Sequence, residues 1–308
     1  MSAPPRLFDR ALHRLRLDRA ARGYPAADFL KRRAAEDAVL RLEAIMRDFP
    51  VAVDLSARSG AFAEALAGSD ARARVGLLIE ADLSAAMLRG RAGPRVALDE
   101  ERLPFAQQSL DLVVSTLGLH WANDVVGALI QIRRALKPDG LFVGALLGGS
   151  TLTELRQSLV AAELELTGGA GQRVSPFADF QDAASLLQRA GFALPVADID
   201  RVTVRYSHPL KLMADLRQMG ETSVLADRHP RALTRQVLGR ACEIYAEKFA
   251  GPDGRLPATF EIVTLTGWAP HESQQKPLAP GSARMRLANA LGTVEHRLSA
   301  DDSNLPEG

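Results

Sequence analysis

Three aspartates fall at or just past short apolar runs, where an acid can meet a ligand: Asp54 within 51–55, Asp82 after 75–79, and Asp99 after a weaker run around Val96. The first run leads into Ser56-Ala-Arg58-Ser-Gly60, a Ser/Gly turn in which Gly60 permits close backbone approach. In a doubly wound sheet, ligands lie beyond the carboxyl ends of the strands, where the strand order reverses. Acids at such ends suit a nucleotide-like ligand: Asp82 can accept both hydroxyls of a ribose, and Asp99 the amino group of an adenine. Plainer readings stand beside these. Asp82 or Ser84 can cap a following helix, Asp99 can be a solvated turn acid, and Asp111, which opens a later run, reads as structural. Asp54, Gly60, Asp82 and Asp99 argue for a crevice together better than each does alone.

His120 and Trp121 follow the run 110–115 and would line the pocket beside a ligand's reactive group. Trp121 reads as a ring packed on the sheet edge with its N–H on backbone, and His120 is open between packing and the site. His13, His208, His229 and His296 sit among turns and charges, where surface roles suffice. No histidine is followed two residues later by an acid, the usual opening of a two-histidine, one-carboxylate iron site. No metal site and no catalytic residue is assigned. Walker-type and Gly-x-Ser-x-Gly patterns are absent, so nucleotide hydrolysis and nucleophile-elbow hydrolysis have no support.

The elements that would position these residues alternate. Residues 6–47 carry helical apolar spacing divided by Gly23-Tyr-Pro25. Strand-like runs follow at 51–55, 75–79, about 96, 110–115 and 141–147, the last after the turn Lys137-Pro-Asp-Gly140. Helical stretches intervene at 61–67, 84–89 and 124–136, which is the pattern of a parallel sheet covered on both faces. Further on, Thr151 and Glu154 have capping-box spacing. Helices are expected at 180–190, 210–219 and 231–249, and strands at 196–206 and 260–268. The expected domains are helices over 1–48, an α/β domain over 49–270 with a helical cap at about 208–252, and a tail from 271. The tail is rich in Pro, Gly, Ser and charge and reads as partly disordered.

The 308 residues are ample for a core without staples. A formal charge of +1 argues against coating nucleic acid or an anionic membrane. No apolar run reaches the ~20 residues that span a bilayer. Cys242 is the only cysteine, which fits a reducing compartment. The Arg-rich N-terminus carries Asp9 and Asp18 and no secretory apolar stretch, so it reads as folded protein in a cytoplasm.

The runs Asp99-Glu-Glu-Arg-Leu-Pro-Phe through Ser115, Leu119-His-Trp-Ala-Asn-Asp124 and Leu136-Lys-Pro-Asp-Gly-Leu-Phe-Val-Gly144 resemble the class I S-adenosylmethionine-dependent methyltransferases. Other segments are similar to one branch of that superfamily: Leu7-Phe-Asp-Arg10, Gly148 to Arg156, Ser175-Pro-Phe, Leu187 to Phe192, Met219-Gly-Glu221, Pro257 to Ile262, Gly267-Trp268 and His271-Glu-Ser273. This is the branch of the mitochondrial and alphaproteobacterial complex I assembly factor that hydroxylates an arginine. The resemblance covers about 7–284 and starts near where the family's folded part starts, which points to a bacterial cytoplasmic member.

The resemblance implies a Rossmann-like α/β fold: a seven-stranded class I methyltransferase sheet with N-terminal helices and a helical cap insertion. It implies S-adenosyl-L-methionine as cofactor, held by Asp54, Gly60, Asp82 and Asp99. It also implies a protein substrate, the quinone-site subunit of complex I, met by His120, Trp121, Gly149, Glu154 and Arg156. No nucleic-acid partner and no stable membrane insertion are expected. The chain departs from the family where the first turn has Ser56 and Arg58 in place of glycines. Arg58 either obstructs the cofactor's methionine part or pairs with its carboxylate. Two other readings stay open: a non-catalytic assembly chaperone with a decayed crevice, and a methyltransferase acting on a small or carrier-bound acid.

Overall fold

The computed structural model describes residues 6–177, 183–228 and 232–275, with 289, 292 and 293 beyond them. The β-branched runs of the sequence become a seven-stranded sheet: β1 (Phe49–Leu55), β2 (Val75–Asp82), β3 (Arg95–Ala97), β4 (Leu110–Thr116), β5 (Leu136–Leu147), β6 (Ala193–Tyr206) and β7 (Leu256–Trp268). Their spatial order is β3-β2-β1-β4-β5-β7-β6. β1 pairs in parallel with both β2 and β4, Asp54 standing beside Glu80 on one side and Val114 on the other. The order reverses between β1 and β4, so the turns after β1, β2 and β4 open on one crevice. β7 is antiparallel to β5 and to β6. Every residue of β4 is buried, as a central parallel strand covered on both faces requires.

The helices are α1 (Arg10–Ala20), α2 (Phe29–Glu43), α3 (Ala61–Ala67), α4 (Val125–Ala135), α5 (Thr153–Thr167), α6 (Ala183–Arg189), α7 (Pro209–Gln218) and α8 (Arg235–Phe249). α2 and α3 bury Val39, Leu42, Phe62 and Leu66 in one cluster with Ala52, Leu112 and Val143 of the sheet. Leu129 and Ile132 of α4 and Leu187 of α6 form a second cluster with Val113, Phe142 and Val263. α7 and α8 come between β6 and β7. Their Leu212, Leu216, Ala241, Ile244 and Tyr245 share a cluster with Leu155 and Leu159 of α5 and with Phe260 and Ile262 of β7. Met1–His271 form one compact unit, N-terminal helices included, and Glu272–Gly308 a second.

Several local expectations are corrected. The stretch 84–89 is turn rather than helix: Asp82 Oδ1 accepts from Ser84 N at 2.8 Å and Ser84 Oγ from Met87 N at 3.2 Å, competing with helical bonding. Thr151 and Glu154 form no capping box. Leu152 stands at the N-cap with φ 56° and no side-chain cap, while Glu154 accepts from Thr259 N at 3.1 Å and from Thr259 Oγ1. Lys137-Pro-Asp-Gly140 lies within β5, with Asp139 at φ 62°. His13 is not a surface residue: α1 buries it completely. The expectation for His229, His296 and most of the tail lies outside the described residues, as do the starts of the helices expected at 180 and 231.

Candidate active site

The turn after β1 keeps a glycine-type backbone without its glycines. Ser56, Arg58 and Gly60 have φ of 66°, 53° and 82°; for the first two, that left-handed conformation costs about 1–2 kcal/mol each. Buried contacts hold it. Lys31 of α2 donates to the carbonyls of Ser56 and Thr116, tying the ends of β1 and β4 together. Ser56 Oγ donates to Glu100 Oε1 at 2.6 Å. A Cβ on Gly118 would lie 1.9 Å from Ser56 Oγ, so the serine fills the space that this glycine leaves. At Gly60 a Cβ would lie 1.8 Å from an Arg91 guanidinium nitrogen. Arg91 in turn donates to Glu80 Oε1 at 2.9 Å and to Ser59 O at 2.8 Å.

Arg58 turns inward. Its Nη1 lies 2.7 Å from Asp82 Oδ2, with both side chains 0% exposed, and its backbone N–H donates to the same oxygen at 2.9 Å. Burial, the largest single influence, opposes the guanidinium's charge, but Asp82 together with Tyr24, Glu100 and Glu221 outweighs it and the Arg58 pKa rises. Arg58 Nε and Nη2 have no hydrogen-bond partner among the described residues. Asp54 is wholly buried with both carboxylate oxygens unpartnered; burial raises its pKa, and the nearby Lys31 charge restrains the rise. Burial likewise lowers Lys31, with Asp54 opposing.

α1 closes the crevice from above. Arg10 Nη2 bonds Asp99 Oδ1 at 2.7 Å and also meets Glu100, and its Nη1 donates to Trp121 O at 3.2 Å. His13 lies 5.1 Å from Trp121, ring to ring. Burial, then the cations Arg58 and Arg10, hold its pKa well below the ordinary histidine value.

In this structure the two acids that would hold the ribose and adenine of S-adenosylmethionine are engaged by the chain's own groups. The acid that would take the ribose, Asp82, has Oδ2 on Arg58 and Oδ1 on Ser84 N. The acid that would take the adenine, Asp99, is held by Arg10 and by Glu101 N. Asp82 meets Arg58, Asp99 meets Arg10, Gly60 stands against Arg91, and Asp54 lies near the Lys31 charge. The partner of Arg58 is Asp82, the acid expected at the ribose, and not the space of the methionine part expected from the sequence.

Beyond Trp121 lies a cavity of about 530 Å³ between the end of the sheet and the cap. Leu152, Leu155 and Leu159 of α5, Phe177, and Met213 and Leu216 of α7 give it apolar walls. Glu221 lies on its wall. Trp121 Nε1 donates to Glu221 Oε2 at 2.8 Å, and His120 Nε2 lies 3.3 Å from the same oxygen. Trp121 packs as a buried ring with Phe8, Val224 and Leu225, but its N–H meets a carboxylate and not backbone. Glu154 does not line this cavity; it ties α5 to β7. Arg156 Nη2 reaches Thr151 O at 3.0 Å and Gly149 O at 3.5 Å, bracing the turn before α5. Asp111 is structural, accepting from Val51 N at 2.9 Å and pairing with Lys137. Among the described residues no three His, Cys, Asp or Glu side chains group as metal ligands.

Reasoning from sequence missed Arg10, His13, Lys31 and Glu221. Glu221 lay within a quoted motif, Met219-Gly-Glu, without a role. Lys31 carried a signal: it shares the apolar face of Ala34, Ala35 and Ala38, an unusual place for a lysine.

Sheet order, crevice position and cap define a methyltransferase-type α/β protein. Residues 53–144 match the methyltransferase-domain family model. A crystal structure from Bacillus halodurans, provisionally assigned as a methyltransferase, superposes with a TM-score of 0.52 at 15% identity, covering 77% of this chain and 99% of that one. Within this class, the mitochondrial arginine-hydroxylase NDUFAF5 of Danio rerio is 40% identical over 290 residues, 92% of this chain and 89% of that protein. The chain belongs to the NDUFAF5 family. A malonyl-[acyl-carrier protein] O-methyltransferase of Methylovorus is also similar, at 32% identity over 317 residues, 98% of this chain and all of that protein.

Proposed function

We propose that this chain is an assembly factor of respiratory complex I that hydroxylates an arginine of the quinone-site subunit. Family membership supports the reaction class, and the Arg58–Asp82 pair is the observation that separates it from methyl transfer. A methyltransferase needs the acid after β2 for its cofactor, and here a buried guanidinium holds that acid. The roles we give to this chain's residues are therefore binding and orientation: the cavity beyond Trp121 receives the substrate arginine, and Glu221 opposes its charge. No helix among the described residues is long and apolar enough to cross a membrane, and the net charge of +1 offers no footing for nucleic acid. We place the protein in a reducing compartment such as a bacterial cytoplasm, for which the single cysteine is the support.

The closed crevice also favours a second reading, an assembly chaperone without catalysis. Peptide mass spectrometry of the quinone-site subunit, from cells with and without this gene, separates them. An added oxygen on one arginine that vanishes with the gene is the expected result. A vanishing methyl group would make the chain a methyltransferase after all. Failed complex I assembly with no change in modification would establish the chaperone.

A further inference from the structure

The cavity beyond Trp121 carries charges of both signs that its apolar walls do not explain. Glu221 Oε2 is engaged by Trp121 and His120, but Oε1 accepts no hydrogen bond among the described residues. Ser175 lines the same cavity, 4% exposed, with its hydroxyl unpartnered. Arg16, Arg217 and Arg228 also line it, with Arg173, which is already paired with Glu163 at 2.7 Å. Arg228 reaches Asp9 only at 3.7 Å, and Arg16 and Arg217 make no ion pair among the described residues. Burial and the adjoining cations Arg228 and Arg19 lower the Arg16 pKa, with Asp9 opposing. Arginines crowded this way are a standing site for anions.

A purely anionic amphiphile would leave Glu221 facing it as a like charge, and a purely cationic one would meet three arginines. A segment that alternates in sign satisfies both. We propose that the cavity selects a substrate segment whose target arginine is flanked by acidic residues. The guanidinium takes Glu221 Oε1, with the rings of Trp121 and Phe177 in the same cavity. The flanking carboxylates take Arg16, Arg217 and Arg228, and flanking apolar side chains take the leucine walls. Glu221 is then the specificity-determining carboxylate. The inference rests on the arginine-modifying reading, which it deepens by naming the residues around the target.

The test uses the full chain and a fluorescent synthetic peptide with one arginine set between aspartates and leucines, read by anisotropy. Glu221→Gln keeps an acceptor for Trp121 and should weaken binding roughly tenfold, as expected when one partner of a charge pair is neutralised. The same variant should leave a citrulline-for-arginine peptide unaffected. Replacing Arg217 and Arg228 together by Gln should weaken the aspartate peptide, flatten its salt dependence and spare an asparagine-flanked control. Equal binding of the arginine peptide by wild type and Glu221→Gln would overturn the proposal, as would displacement of the peptide by decanoate with no preference for arginine over citrulline. Charge-coupled binding without gene-dependent modification in cells would leave this specificity standing and remove the hydroxylase reading. Modification in cells that is indifferent to the Glu221 and Arg217/Arg228 changes would do the reverse.

Discussion

At the scale of single residues, Arg58 decides what this crevice can do. It takes a left-handed backbone position suited to glycine and sends a guanidinium onto the acid that a nucleotide ligand would otherwise meet. Arg58→Gly removes a strained φ but leaves Asp82 buried and unpaired. Breaking a buried pair from one side costs about 3–5 kcal/mol, against about 1–2 kcal/mol recovered from the backbone. The variant should therefore melt earlier than wild type. S-adenosylhomocysteine, whose ribose hydroxyls can replace the guanidinium on Asp82, should restore much of the loss in a thermal-shift assay. A variant as stable as wild type, or one indifferent to the ligand, would contradict this account of the pair. The aspartates were legible as a group because each falls at or just past an apolar run. Arg58's inward turn was not, because side-chain direction depends on Asp82 being reachable across the sheet, 24 residues away in the chain.

At the scale of elements, α5 is joined to β7 through Glu154, whose carboxylate accepts from Thr259 N and Oγ1. Glu154→Ala should cost about 2–3 kcal/mol in urea unfolding, since a charged acceptor with two donors is lost and a half-buried N–H is orphaned. Peptide affinity measured on the folded variant should be unchanged; a selective loss of binding with normal stability would return Glu154 to the substrate pocket. The strands and α3 were readable because local apolar runs and the turn at 56–60 agree with the tertiary structure. β6 and β7 extend beyond their alternating cores, to Ala193 and Leu256, because pairing with each other supports residues that have no pattern of their own. The stretch 84–89 failed as a helix because Asp82 and Ser84 bond locally.

At the scale of the whole molecule, a methyltransferase-type fold is retained while α1 and Arg58 fill its ligand crevice. The fold follows from the order of runs and turns, which the sequence displays. Closure does not, since it depends on α1 lying across strand ends about a hundred residues distant along the chain. One consequence is acid lability. Burial and the cations Arg58 and Arg10 keep His13 neutral in the folded protein, so the unfolded chain binds the extra proton below about pH 6.5. Stability should then fall with decreasing pH by up to about 1.4 kcal/mol per unit from this group, down to its depressed folded pKa. His13→Gln should flatten that slope between pH 6.5 and 5 in denaturant titrations; an unchanged slope would mean another group causes it. The most direct test of the closed crevice is a calorimetric titration of the full-length wild-type protein with S-adenosylmethionine. With Asp82 and Asp99 already engaged, no saturable heat is expected at cofactor concentrations up to millimolar, and stoichiometric binding in the micromolar range would contradict the closed crevice.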